Sequence, residues 1–354
     1  MSFTQEQVRA ALKGVKDPDL GQDLVDLGMI KDIRVEGRNV ALTVELTTPA
    51  CPLKDKIQSD VRAALQANLK PDSVTVNMSA NTSRLQQTAT ELIPGVRNVV
   101  LVGSGKGGVG KSTVAANLAV SLAKSGAAVG LLDADIYGPS VPTMFDVHVS
   151  PEATDDERIV PHRKHGLRLM SMGFLLQEGQ PVIWRGPMLD SVMRQFLGQV
   201  EWGELDYLVV DLPPGTGDVQ LSLSRMVPNA VAVVVTTPQD VALADVQRAI
   251  GMFNSVHLHV LGVVENMSGF VCSHCGTRTE IFGSGAAKKA AEKYGIARLG
   301  EIPLTEEVVT SGDGGEPIVL AKPQNASAVA LAAFSARVAQ QIAIHASAAQ
   351  TAAV

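Results

Sequence analysis

The sequence predicts an α/β fold with a mostly parallel central sheet, preceded by a small α+β domain. Three observations predict it. Short valine-rich runs, Val99-Val100-Leu101-Val102, Tyr207-Leu208-Val209-Val210 and Ala230 to Val235, have the continuous hydrophobicity of strands covered on both faces. These runs alternate with stretches at helical spacing, such as Val114 to Lys124 and Asp240 to Phe253. The chain of 354 residues is long enough for two domains, and 45% hydrophobic content with only 4% aromatics suits a core of Val, Leu, Ile and Ala.

Composition also limits what the chain does. A formal net charge of −6 argues against general nucleic-acid binding. No apolar run approaches the roughly 18 residues of a membrane span, so no membrane partner is expected. Met1 to Ala10 is polar, without the apolar core of a secretory signal. With three cysteines, the expected setting is cytoplasmic, with reduced thiols.

Residues 1–80 read as the small α+β domain. Thr4 to Val15 is a helix, with Thr4 as N-cap and Gln7 completing a capping box. Gly21 to Gly28 is a short helix or turn. Ile30 to Val35 and Val40 to Leu46 are strands joined through Glu36-Gly37-Arg38-Asn39. Pro52 to Leu69 is an amphipathic helix with proline at its start, and Ser73 to Met78 is a third strand. The phrases Asp17-Pro18-Asp19-Leu20, Val25-Asp26-Leu27-Gly28-Met29-Ile30 and Thr47-Thr48-Pro49-Ala50-Cys51-Pro52 resemble the small domain of cytosolic iron–sulfur assembly proteins. Cys51 falls at a strand-to-helix turn, where a helix N-terminus would lower its pKa. It reads equally as a transient metal or cluster ligand and as a buried, packed thiol. Residues 81–96 are polar and aperiodic and end at Pro94-Gly95, as a linker does.

The second domain, 97–346, opens on strand, glycine-rich loop and helix. The loop Gly105-Lys106-Gly107-Gly108-Val109-Gly110-Lys111-Ser112-Thr113 contains the phosphate-binding pattern Gly-x-x-x-x-Gly-Lys-[Ser/Thr] in the context it requires. Glycines let backbone N–H groups approach phosphate closely, and the helix N-terminus favours an anion. Lys111 is expected to reach the β- and γ-phosphates of ATP, and Ser112 to hold Mg²⁺. The additional Lys106 resembles the deviant phosphate loop of the MinD, ParA and nitrogenase iron protein superfamily. That resemblance implies that Lys106 reaches across a nucleotide-sandwich homodimer.

Ala128 to Leu132 is the next strand, ending in Asp133-Ala134-Asp135-Ile136-Tyr137-Gly138-Pro139-Ser140. Acidic residues at the carboxyl end of a parallel strand lie where such folds bind ligands. The superfamily resemblance implies that Asp135 orients the attacking water and Asp133 supports the Mg²⁺ site, the alternative for Asp133 being a loop cap. Residues 146–165 read as a surface insertion whose His162 and His165 are solvated loop histidines. Leu167 to Met172 is a strand and Leu189 to Leu197 a helix. Trp184-Arg185-Gly186-Pro187-Met188 resembles the Mrp branch of the superfamily.

Tyr207 to Asp211 is a strand ending in the Walker-B aspartate, which holds a water on Mg²⁺. Leu212-Pro213-Pro214-Gly215-Thr216-Gly217 follows, resembling the superfamily's second switch; Gly215 would then offer its N–H to the γ-phosphate. Val256 to Glu265 is a strand ending in Asn266-Met267-Ser268, and the resemblance makes Asn266 the adenine-reading side chain. His257 and His259 share one face of this strand and carry no assigned role. Gly283 to Tyr294 is a helix. Arg298 to Ile302 is a strand followed by Pro303, which in relatives packs near the base. Ser311 to Gly315 is a loop. Ala326 to Ile344 is a packed helix, and 347–354 a flexible tail.

Cys272-Ser273-His274-Cys275-Gly276 can hold one metal from a tight turn. A full thiolate site takes four ligands, and two such pairs across a twofold axis supply them. Iron–sulfur cluster, zinc and a redox disulfide all remain open on spacing alone. The whole chain resembles the Mrp/ApbC family of iron–sulfur carrier ATPases, of P-loop NTPase fold. The resemblance implies a homodimer holding a [4Fe–4S] cluster, upstream cluster donors, apo iron–sulfur client proteins, and Mg²⁺-dependent ATP hydrolysis that controls the dimer. The alternatives are an ATP-driven positioning or partition switch without a cluster, a zinc-bound ATPase, and an electron donor like nitrogenase iron protein.

Overall fold

The computed structural model describes residues 3–82, 92–136, 138–175 and 186–352. Tyr137, most of the linker and the Trp184-Arg185 start of the Mrp-like phrase lie outside the described residues. The chain divides into two compact units, Met1–Ser83 with Ala339–Val354, and Arg84–Val338.

In the first unit, α1 (Gln5–Leu12) starts at Thr4, whose Oγ1 accepts from the Gln7 N–H while Gln7 Oε1 accepts from the Thr4 N–H, at 3.2 and 2.9 Å. Strands β1 (Ile30–Glu36) and β2 (Asn39–Leu46) pair antiparallel, and β3 (Ser73–Ala80) lies parallel to β2. Alternate residues of β2, from Val40 to Leu46, are buried against Val8, Leu12, Ile57 and Leu65 of α1 and α2 (Lys54–Asn68). Helix α2 begins later than its proline suggested. Leu53 is its non-helical cap, which leaves Pro52 outside.

The second unit contains, in order, β4 (Val96–Gly103), α3 (Lys111–Lys124), β5 (Val129–Asp133), α4 (Val141–Met144), β6 (His162–Lys164), β7 (Leu167–Ser171) and α5 (Gly186–Gly198). Then come β8 (Leu205–Asp211), α6 (Asp218–Met226), β9 (Val231–Thr236), α7 (Asp240–Ser255), β10 (His259–Val271) and β11 (Arg278–Thr279). The chain continues through α8 (Ala286–Tyr294), β12 (Ala297–Leu304), α9 (Glu306–Asp313), α10 (Ile318–Ala321) and α11 (Ala326–Ala352), whose residues from Ala339 on are counted with the first unit. Among the described residues nine strands form one sheet, ordered β11-β10-β9-β4-β8-β5-β7-β6, with β12 also paired to β10. Pairing is parallel from β7 to β9 and on to β10 and β12, and antiparallel at β6 and β11. The valine runs form the buried centre: Val99, Val100, Leu101, Val102, Leu208, Val209 and Val210 are all fully covered. This is the mostly parallel α/β sheet expected.

Several elements differ from expectation. β10 begins at His259, so His257 lies in the preceding turn at φ 59° rather than sharing a strand face. It also runs past Asn266, because β12 and β11 extend its ladder beyond a register break between Asn266 and Phe270. The 146–165 stretch contains β6. There His162 shares its ring Nε2 with the Val149 carbonyl at 2.9 Å and packs edge-on against Phe174, so it is not a solvated loop histidine. Ser311 to Asp313 complete α9 rather than a loop. Helix α11 reaches Ala352, through most of the stretch expected as a flexible tail. Over Ala326–Ala349 it is long and apolar enough to cross a membrane by length and composition, contrary to the expectation that no such run exists. Half of that stretch is buried within the protein.

Candidate functional site

The carboxyl ends of β4, β5 and β8, with Asn266 from the middle of β10, converge on the glycine-rich loop. Gly108 and Gly110 sit at φ 76° and 77°, which few other residues tolerate, and the loop delivers Lys111 to the first turn of α3. Gly105 has a second constraint. A Cβ there would lie 2.1 Å from the Asp245 carbonyl oxygen, a backbone atom with nowhere to go. Gly105→Ala is therefore expected to destabilise the nucleotide-free protein by about 1–3 kcal/mol. An unchanged thermal melt would remove this packing argument.

Lys111 is buried at 6% exposure and lies among three oxygens. Its Nζ is 2.5 Å from Asp211 Oδ1, 3.3 Å from Ser112 Oγ and 3.9 Å from Asp135 Oδ2. Burial raises the Asp211 carboxyl above the ordinary carboxylate range, and the Lys111 ammonium opposes that rise. Asp211 Oδ2 is buried with no hydrogen-bond partner. An unpartnered buried carboxylate oxygen with a serine hydroxyl beside it is a donor set suited to a small, hard cation such as Mg²⁺.

Asp135 lines the same cavity, of about 230 Å³, together with Lys106, Gly107, Gly108, Ser112 and Pro214. Asp133 does not line it and stands behind it, next to Asp211. Its carboxylate accepts from the N–H groups of Asp135, Ser140 and Val141 and from Ser171 Oγ, all at 3.0–3.1 Å. Both oxygens are spent on shaping the loop, and Asp133 is the loop cap. Burial, with the neighbouring Asp211 charge, pushes it up to about 7. The residue that reasoning from sequence missed is Ser140. It lines the cavity, and its Oγ is buried without a partner. Its signal was the run Gly138-Pro139-Ser140 beginning three residues after Asp135.

Gly215, at φ 90°, donates its N–H to the Ser104 carbonyl at 3.0 Å, so in this conformation the group expected to meet a γ-phosphate is occupied. Gln220 Nε2 holds the preceding prolines by donating to the Pro213 and Pro214 carbonyls. Asn266, 8% exposed, donates from Nδ2 to the Val109 carbonyl at 2.9 Å. It borders a cavity of about 400 Å³ with Gly110, Thr113, Met267 and Pro303 among its walls. The two cavities share Gly110, Thr113, Ser140 and Met144, so the space runs on from the loop toward Asn266.

Cys272 and Cys275 stand on the excursion between β10 and β11. Val271 pairs with Arg278, the Cys272 N–H donates to the Thr277 carbonyl, and the Gly276 N–H donates to the Cys272 carbonyl. Gly276 at φ 68° makes the turn possible. Cys275 is exposed, and its thiol lies 3.2 Å from Thr277 Oγ1. Hydrogen bonds from the Thr277 side chain and backbone and from Cys272 pull it below the ordinary thiol range. Among the described residues no group of three or more His, Cys, Asp or Glu side chains is placed to hold a metal. Cys51 behaves oppositely to expectation. Burial raises its thiol, against a Leu53 N–H that lowers it. Limited alkylation of native protein near neutral pH is thus expected to label Cys275 well before Cys51, because the thiolate is the reacting form. Peptide mass mapping reads the order, and equal labelling would contradict it.

Comparison with known proteins agrees with these features. The family described as NUBPL iron-transfer P-loop NTPase matches residues 95–340, and the one described as iron-sulfur cluster assembly protein matches residues 5–78. An iron-sulfur cluster carrier protein of Deinococcus radiodurans is 52% identical over 335 residues, covering 94% of both chains. One of Escherichia coli is 40% identical over 339 residues, covering 95% of this chain and 91% of its own. The nucleotide-binding protein of Archaeoglobus fulgidus, solved in complex with ADP, is 40% identical with a TM-score of 0.59, over 69% of this chain and 96% of that one. The cell division ATPase MinD of Pyrococcus furiosus, at 20% identity and a TM-score of 0.52 over 68% of this chain and 98% of its own, shares the fold.

Proposed function

Because the chain belongs to the iron–sulfur cluster carrier family of P-loop NTPases, we propose that it holds a [4Fe–4S] cluster between two copies of itself and passes it to apo iron–sulfur client proteins. Upstream donors load it, and ATP binding and hydrolysis set the geometry of the pair. The observation that carries this reading is the hairpin of Cys272 and Cys275. It presents two thiols, one of them acidified, at an exposed turn. Two thiols are half of a four-thiolate set, and a twofold axis supplies the other half.

The cavity supports the following nucleotide chemistry. Backbone N–H groups of Gly107 to Ser112 wrap the phosphates, and Lys111 Nζ leaves Asp211 for the β- and γ-oxygens. Ser112 and, through water, Asp211 would hold Mg²⁺, which would supply charge neutralisation for the phosphates when bound. Asp135 orients the water that attacks the γ-phosphorus in line with the departing ADP oxygen, and Lys106 of the partner subunit adds positive charge there. The Gly215 N–H turns from the Ser104 carbonyl to the γ-phosphate, which makes the loop sensitive to hydrolysis. Asn266 reads the adenine edge, with Pro303 against the base.

Anaerobic reconstitution with iron and sulfide tests the proposal, read as iron, sulfide and zinc per chain alongside molecular mass. The expected result is about four irons and four sulfides per two chains, with activity appearing in an added apo iron–sulfur enzyme. Tight zinc without sulfide, or a monomer without metal, would overturn it.

A further inference from the structure

The strand that carries Asn266 also carries the cysteine hairpin, and the link between them is irregular. Met267 takes φ 57° and Gly269 φ 134°, where the β10–β12 register breaks. Left-handed backbone at a methionine is uncommon and persists only where neighbours hold it. Immediately after Met267, the group bonded to this irregular stretch is Arg278, the residue that closes the hairpin opposite Val271. Its guanidinium donates to the Ser268 carbonyl and to Ser268 Oγ, and its side chain covers Gly269, where a Cβ would lie 2.8 Å from Nε. It also pairs with Glu301 Oε2 on β12 at 3.8 Å.

Each anchor adjoins a wall of the Asn266 cavity. Ser268 follows Asn266 and Met267, and Glu301 precedes Ile302 and Pro303, and all four of these neighbours line that cavity. The far end of the excursion is anchored as well. Glu265, 1% exposed, accepts from the N–H groups of Gly285 and Ala287 at the start of α8. The excursion from Val271 to Gly285 is therefore tied at both ends to residues flanking Asn266.

We infer that Arg278 is a positioning residue that couples the cysteine hairpin to nucleotide occupancy. The inference rests on the proposed carrier function. Whatever moves the cavity walls on β10 and β12 moves the two anchors of Arg278, and Arg278 is three residues from Cys275. Arg278 touches neither nucleotide nor cluster in this scheme, so its loss separates coupling from binding.

The test uses the full chain, reconstituted with iron and sulfide, and follows release of iron to a ferrous chelator with and without Mg-ATP. Iron content and nucleotide affinity are measured on the same samples. In Arg278→Ala both are expected to stay near wild type, while the ratio of release rates with and without nucleotide falls to about 1. Arg278→Lys keeps one charge but loses the fork, and is expected to give an intermediate ratio. It stands in if the alanine variant fails to fold. A wild type that responds to nucleotide beside folded variants that respond equally overturns the coupling role alone. A wild type that takes up no cluster overturns the carrier reading and this inference together. A wild type that takes up cluster but releases iron at a rate indifferent to nucleotide overturns the coupling role and the nucleotide control proposed for the pair.

Discussion

Lys111→Ala abolishes ATP turnover, with an expected loss of about 10³-fold from removing one preorganised positive donor. The same change has a structural cost. Lys111 is the cation against Asp211, at 2.5 Å, and the Asp211 carboxylate is fully covered. Without it, a buried carboxylate loses its partner, a change typically worth about 3–5 kcal/mol. Two variants separate the effects. Lys111→Ala combined with Asp211→Asn is expected to recover much of the stability and none of the turnover, because the two residues form one coupled unit. Phosphate release and chemical denaturation read the two quantities. Turnover persisting in Lys111→Ala would sink the phosphate-loop assignment.

The second large effect is on the cluster. Cys272→Ala/Cys275→Ala is expected to bind no iron or sulfide after reconstitution. Measured on cluster-free samples of both proteins, its ATP affinity should stay within ~0.5 kcal/mol of wild type, because neither cysteine lines the nucleotide cavity. Cys51→Ala is expected to keep full cluster content, since its thiol is half-buried and raised by that burial. Iron lost in the Cys51 variant would refute a site built from two hairpin pairs alone. Iron retained in the double variant would refute the hairpin itself.

The features legible in the sequence are those whose chemistry is local. Gly105 to Thr113 announces its loop because spacing and flanking strand lie within a few residues, and Tyr207 to Asp211 does so for the same reason. The capping box at Thr4 and Gln7 is likewise a four-residue device. What escaped reading depends on partners distant in the chain. The loop-cap alternative for Asp133 was legible because its N–H partners Asp135, Ser140 and Val141 are local, whereas the bond from Ser171 on β7, 38 positions away, was not. Cys51 is raised rather than lowered because the domain core covers it, which outweighs the turn it occupies. β10 outruns its apparent end at Asn266 because β12 supplies a ladder that no local pattern reveals. Ser140 was visible as a letter, but only folding showed its hydroxyl buried beside the phosphate loop.

The margins of the large sheet bear on how copies meet. One flank ends in β6, three residues long, with Arg163 and Lys164 among them. At the other, β11 contributes two residues, and β12 is sealed by α11. There Ser327 Oγ donates to the Pro303 carbonyl at 2.8 Å and Arg337 to the Arg298 carbonyl at 3.3 Å, while Pro303 has no N–H to offer. Short, charged or covered margins are how proteins refuse intermolecular strand addition. Such margins disfavour fusing this sheet with another through a shared ladder. A carrier finished in this way can meet other proteins without being zipped to them strand by strand.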